Sequence, residues 1–204
     1  MKTSIIIYSV ISTLIAFNLQ AADNNQPDTS VKKHTFGIQL GSGSAKYKGS
    51  SDDGDGIGQS YLYYNYQLDN MFSVEAGFNG GTDVDDWECE QDNDDRWTCR
   101  SDNRQFFDIA ANKLSYDGVT LAAKADFNLT QRNSLYAKLG GQFYDYEFKR
   151  SSTKLDNDSG FGLYFEAGWQ YRWDSGWGIN AAYAKRDMGK LDTSTFTTGL
   201  SYSF

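Results

Sequence analysis

The last ten residues, Thr195 to Phe204, alternate without a break: Phe196, Thr198, Leu200, Tyr202 and Phe204 share one parity, and Thr197, Gly199, Ser201 and Ser203 share the other. A period of two sends successive side chains to opposite sides of an extended strand. The segment therefore reads as a strand with one aromatic face and one narrow face of small polar groups.

The same alternation recurs seven more times. The first strand spans about 35–46, with Phe36, Ile38 and Leu40 against Gly37, Gln39, Gly41 and Gly43. The second, 60–68, sets Leu62, Tyr64, Tyr66 and Leu68 against Tyr61, Tyr63, Asn65 and Gln67, and the third, 71–80, sets Phe72, Val74, Ala76 and Phe78 against Ser73, Glu75, Gly77 and Asn79. In the fourth, within 104–129, Val119, Leu121, Ala123, Ala125 and Phe127 oppose Thr120, Ala122, Lys124, Asp126 and Asn128. The fifth (134–147) turns Tyr136, Lys138 and Gln142 to the polar side, and the sixth (161–173) turns Tyr164, Glu166, Gln170 and Arg172 there. The seventh is 177–187 and the eighth is the C-terminal segment.

Only 39% of residues are hydrophobic, and no segment after the N-terminus approaches a spanning helix. A transmembrane barrel accommodates this, because only alternate residues of each strand meet lipid. The 16% aromatic content suits interfacial girdles, and 20 glycines beside one proline suit a closed sheet, since proline removes a ladder donor. That proline, Pro27, lies in a polar leader. Ahead of it, Met1-Lys2, the largely apolar run Ile5–Phe17 and the small Ala21 form a secretory signal peptide; the run falls short of the about 20 apolar residues a spanning helix needs. The expected organisation is a signal peptide over 1–21, a flexible periplasmic tail over 22–34, and an eight-stranded antiparallel up-and-down barrel, all-β, over 35–204.

Short connections are expected after the second, fourth and sixth strands, with longer polar ones at 47–59, 81–113, 148–160 and 188–194. That matches brief periplasmic turns and external loops, with both termini periplasmic. Asp117-Gly118 is a strong hairpin dipeptide. It is read as a bulge or kink in one long fourth strand, or as a small hairpin above the membrane, because nine spanning strands would leave the C-terminus outside.

The segments YDGVTLAAKADFNL (116–129), LYAKLGGQFYDYEF (135–148), GLYFEAGWQYRW (162–173) and GLSYSF (199–204) resemble strands of the OmpA-like transmembrane domain, within the class of small eight-stranded outer-membrane barrels. The resemblance implies a monomeric barrel that supports the envelope and exposes loops for adhesion or recognition. Tyr202 and the terminal Phe204 are similar to the signal such proteins present to the outer-membrane insertion machinery. Glu75 in VEAGF, Lys124 in AAKAD and Lys138 in YAKLGG match the family's charged inner gate. Gln170 and Asn180 stand where the family has a further Glu and Arg, so Glu166 must substitute or the gate is looser. The chain stops at Phe204 without the periplasmic domain of the long members, so no tether to the cell wall is expected.

On the polar parity, Glu75, Lys124, Asp126, Lys138, Glu166 and Arg172 bring both signs into an interior only wide enough for side chains, so they are expected to pair. The sole histidine, His34, reads as a solvated residue at the start of the first strand, away from the external rim, which argues against a histidine-based enzyme site. No nucleophile and base stand at recognisable spacing. Gly54-Asp-Gly56-Ile-Gly58 lacks the strand-turn-helix context of a phosphate loop. No cofactor or metal is expected.

Segment 82–104 holds nine acids against Arg96, Arg100 and Arg104 and accounts for most of the net charge of −8. That sign disfavours nucleic acid, and the full carboxylate ladder of a dedicated calcium loop is absent. Within it lie the only two cysteines, Cys89 and Cys99, with Trp87 and Trp97 each two residues ahead. Export places them in an oxidising compartment, and a zinc site would want more ligands. A disulfide across a small hairpin through Asp92–Asp95 is expected. The sequence thus points to a non-enzymatic outer-membrane barrel acting in envelope structure and surface contact, with a narrow low-conductance channel as the alternative and a lipid-modifying outer-membrane enzyme as a weaker one. A soluble lipocalin-like barrel is a weaker match, since it needs an apolar interior. Expected partners are outer-membrane lipids, lipopolysaccharide, the insertion machinery and a host or surface ligand at 82–104.

Overall fold

The structure is a computed structural model that describes residues 32–50, 53–84, 87–91, 97–101, 111, 113–150 and 153–204, with the backbone alone described at 53–55, 87–91 and 97–101. The expected signal peptide, and most of the expected tail, lie outside these residues. Ten strands follow in chain order: β1 (His34–Tyr47), β2 (Asp53–Gln67), β3 (Phe72–Asp83), β4 (Trp87–Gln91), β5 (Trp97–Ser101), β6 (Lys113–Asn128), β7 (Asn133–Arg150), β8 (Thr153–Arg172), β9 (Trp177–Met188) and β10 (Leu191–Ser203). Eight of them close a barrel in the order β1-β10-β9-β8-β7-β6-β3-β2, and β4 pairs only with β5. All barrel pairings are antiparallel. The expected eight-stranded meander is the observed fold.

Parity decides what faces where. Leu40 is 59% exposed and Phe196 72%, whereas their neighbours Gln39 and Thr197 are 1% and 2%. The apolar set therefore covers the outside of the barrel and the polar set fills it, the inverse of a soluble barrel.

Three tight turns lie at the end that carries the termini. After β2, Asp69 Oδ1 accepts hydrogen bonds from the Met71 and Phe72 amides at 2.7 and 2.8 Å, and these bonds, led by that of Phe72, hold its carboxyl below the usual range. After β6, Thr130 Oγ1 accepts from the Asn133 amide at 3.0 Å. After β8, Gly176 takes φ +100°, and Arg132 reaches from the neighbouring turn to Asp174 at 2.5 Å.

The opposite end differs from expectation. The connections at 47–59, 148–160 and 188–194 shrink to 48–52, 151–152 and 189–190 because the strands run on. Lys46 pairs in register with Asp53, Tyr146 with Asp158 and Met188 with Leu191. On β7 the outward parity there carries Asp145, Glu147 and Lys149 and the inward parity the buried Tyr146 and Phe148, while on β8 the inward parity carries Asp156 and Asp158, half-buried at the rim, so the ladder runs on where a loop was expected. Asp117-Gly118 is likewise neither turn nor bulge. Both residues sit in unbroken register with β3 and β7, and Gly118 is needed for close approach, since a Cβ there would lie 2.6 Å from the Phe143 carbonyl oxygen.

β1 and β10 form the seam over 13 register pairs, from Thr35↔Ser203 to Tyr47↔Leu191. At its base the His34 amide donates to Phe204 O at 3.2 Å and the Phe204 amide to His34 O at 2.9 Å. His34 is half-buried, stacks on Phe204 at 5.5 Å and bonds Tyr64 at 2.6 Å; it packs at the seam because its strand pairs on both sides from its first residue.

Candidate functional site: the barrel lumen and its closed mouth

The interior is organised in layers. Lys138 on β7 stands opposite Glu166 on β8, and its ammonium lies 2.7 Å from Glu75 Oε1 and 3.0 Å from Glu166 Oε1. All three side chains are at most 2% exposed. Burial of this kind is tolerated only when the remaining lone pairs are occupied, and they largely are. Glu166 Oε1 accepts from Gln39 Nε2 at 3.0 Å and Tyr136 OH at 2.7 Å, its other oxygen accepts from Tyr164 OH, and Tyr61 OH donates to Glu75 at 3.0 Å. The ammonium also sits 4.7 Å above the Tyr63 ring.

Nearer the termini, Lys124 pairs with Asp126 at 3.0 Å. Gln170 bridges them: its carbonyl accepts from Lys124 at 2.9 Å and its amide donates to Asp126 at 2.6 Å. Lys124 and Lys138 face each other across β6 and β7, an arrangement that costs stability when like charges meet. Each ammonium turns to its own acid, with the Tyr136 ring 4.8 Å from one and 5.3 Å from the other.

Five of the six sequence-derived residues thus lie in the lumen within two linked clusters. Arg172, half-buried on the last position of β8, forms no ion pair with a described residue. The third interior cation is Arg186 on β9, fully buried and absent from the sequence reading. Its guanidinium lies 4.6 Å from the Tyr164 ring and 5.4 Å from the Tyr61 ring, and donates to Gln59 Oε1 at 3.2 Å. The same two tyrosines give their hydroxyls to Glu166 and Glu75. They therefore hold the cation on their ring faces and the anions at their tips, and the charges Lys138 leaves uncompensated are balanced across two aromatic rings. With Arg186 the interior carries three cations and three anions. The signal was present in sequence: Arg186 shares the parity of Asn180.

Beyond Arg186 the lumen turns apolar. Ala45, Ile57, Leu114, Tyr116, Tyr144, Tyr146, Phe148, Met188 and Leu191, with Ala111, form one buried cluster drawn from six strands. Tyr146 meets Phe148 edge-on at 5.5 Å, Phe148 meets Tyr47 edge-on at 5.4 Å, and the Tyr47 hydroxyl donates to Asp156 on β8 at 3.2 Å. This apolar stopper was not expected.

The C-terminal residues face outward: Tyr202 is 42% exposed and Phe204 53%, with Tyr202 packed on Trp177 at 5.2 Å. In the connection between β3 and β6, β4 and β5 pair so that Cys89 stands opposite Cys99 and Gln91 opposite Trp97. The side chains of this hairpin, and residues 85–86, 92–96 and 102–110, lie outside the described residues.

A closed eight-stranded meander, apolar outside and charged within, defines a small membrane barrel. The chain matches the outer membrane protein beta-barrel domain family over residues 9–204 and belongs to it. Among curated protein sequences none matches it. Among solved structures it is similar to Ail, the attachment invasion locus protein of Yersinia pestis (18% identity, 85% of this chain and 100% of that chain, TM-score 0.55). It is also similar to neisserial surface protein A (10%, 84% and 97%, 0.61) and to OprG of Pseudomonas aeruginosa (12%, 84% and 96%, 0.53). At these identities the likeness is one of fold.

Proposed function

We propose that this protein is a non-enzymatic barrel of the outer membrane, exported by its signal peptide, with both termini periplasmic, that supports the envelope and makes surface contacts through its external end. The observation that carries this is the filled lumen: an ion-paired layer backed by an apolar stopper leaves the outer surface as the place where chemistry can differ between partners. Purified protein in planar bilayers is expected to give at most small, flickering conductance. Large, stable current steps would transfer the function to a channel.

The surface contact is made by the segment 82–104. One neighbour, Ail, has a structure in complex with the heparin analogue sucrose octasulfate. Here the segment carries nine acids against three arginines, which repels a polysulfated ligand and suits a cationic partner surface. Cells displaying the full chain should adhere to amine-coated beads at low salt and lose that adhesion when 87–101 is replaced by a short Gly-Ser link. Equal adhesion by both would overturn this assignment.

Cys89 and Cys99 staple this hairpin. Directly opposed positions of an antiparallel pair stand about 4.5–5.5 Å apart, inside the about 4.4–6.8 Å that a disulfide spans. Closing a loop of this size restricts the unfolded chain by roughly 2.5–3 kcal/mol in the chain-entropy model, which shapes the hairpin and not the barrel. Thiol labelling of unreduced protein should find no free thiol; two reactive thiols end the idea. Replacing both cysteines with serine should leave barrel heat stability nearly unchanged and speed proteolysis within 82–104.

A further inference from the structure

On the outer wall of β1, β8, β9 and β10 lies a depression of about 720 Å³, floored by Ala167 and Ala181 and walled by Leu40, Tyr183, Phe196 and Thr198. It exists because two alanines stand where neighbouring outward positions carry large side chains: Phe165 precedes Ala167, and Tyr183 follows Ala181. Tyr183 and Phe196 are register partners with rings 5.1 Å apart, and they close its upper side.

The next outward level above those rings is polar. Lys185, exposed on β9, stands opposite Ser194 of β10, which in turn stands opposite Ser44 of β1. Lys185 makes no ion pair with a described residue, and the nearby Asp187 takes Lys48 at 3.6 Å. Lys185 therefore marks the edge of the apolar band with an ammonium that has no ion-pair partner among the described residues, at one end of a row that continues through Ser194 to Ser44. Acids stand at that edge on both walls, with Asp187 and Asp192 the outward register partners one step beyond Lys185 and Ser194. Beyond Val119 and Phe143, the outward register partners on β6 and β7 are Asp117 and Asp145.

We infer that this face binds one acyl chain of lipid A in the depression, with a lipid A phosphate held by Lys185, Ser194 and Ser44. Two features select this occupant. An outward groove within the apolar band of a membrane barrel admits hydrocarbon, and the ammonium one step above it calls for an anionic headgroup. In the orientation proposed above, this end faces the outer leaflet, where lipid A resides.

The test is native mass spectrometry of the refolded full chain in detergent with three probes: bisphosphorylated lipid A, its dephosphorylated form and phosphatidylglycerol. Lys185→Gln alters no lumen contact, and Ala181→Phe fills the floor; normal heat-modifiable gel mobility verifies folding of both. Wild type should retain bisphosphorylated lipid A. Lys185→Gln should weaken that retention about fivefold, the worth of one lysine near an anionic surface, and Ala181→Phe should weaken retention of every acylated probe. Equal retention by wild type and Lys185→Gln, or by the two forms of lipid A, would overturn the phosphate assignment. Retention of phosphatidylglycerol as strong as that of lipid A would overturn the choice of lipid. A dimer of this chain that Ala181→Phe abolishes would give the face to a second copy instead.

Discussion

Replacing Lys138 with methionine is expected to cost about 3–5 kcal/mol of unfolding free energy, the loss seen when one partner of a buried ion pair is removed. The ammonium lies within 3.0 Å of both Glu75 and Glu166, and neither carboxylate is more than 1% exposed. Methionine fills a similar volume, so the loss reports charge and not a cavity. Both carboxylates would then sit buried beside each other, held only by neutral donors such as Tyr61, Tyr136, Tyr164 and Gln39. Urea titration of the barrel in lipid vesicles measures the effect. The triple variant Lys138→Met, Glu75→Gln, Glu166→Gln should recover most of the loss, because a neutral replacement of the whole buried group is often close to neutral. A loss below about 1 kcal/mol, the range of exposed pairs, would mean that water reaches the ammonium and that packing, not this triad, holds the lumen together.

Phe148→Ala tests the stopper. A fully buried phenylalanine truncated to alanine typically costs about 3–5 kcal/mol, and Phe148, at 0% exposure, should fall toward the low end because it lies near the ends of β7 and β8. Its loss removes the edge-on contacts with Tyr47 and Tyr146. The expected result is a lower heat-modification temperature together with new protease cleavage near 151–152. An unchanged temperature and unchanged cleavage would show that the mouth is held by the strand ladder alone.

How much of this was readable in the sequence follows from what parity can and cannot carry. Period-two alternation needs only one strand at a time, so the eight barrel strands and the inward placement of Glu75, Lys124, Asp126, Lys138 and Glu166 were legible. Strand ends were not, because a polar residue above the apolar band looks the same in a loop as on the wet face of a strand. Tyr146 and Phe148 alternate with Asp145, Glu147 and Lys149, yet that run reads as strand only to 147 and as loop beyond, which hides the stopper. Arg172 and Arg186 share an inward parity but differ in height. Arg172 reaches the end of β8 and stays half-exposed, while Arg186 is held deep by Tyr61 and Tyr164 from other strands. Height is set by register between strands far apart in sequence, which one strand's pattern does not encode. Asp117-Gly118 misled for a related reason: a glycine that lets two backbones approach carries the same letter as one that turns a corner.

The seam between β1 and β10 has a kinetic consequence. Thr35 and Ser203 bond side chain to side chain across 168 positions of sequence, and every pairing of that seam joins the beginning of the barrel to its end. Chain-closure entropy grows with the length enclosed, and topologies dominated by such distant contacts fold slowly. Until β10 is in place, the sheet has two open edges, each a template for pairing with another chain. Closure is therefore the step at which this polypeptide is most exposed to self-association, and the residues that secure the base of the seam, His34 and Phe204, set when that exposure ends.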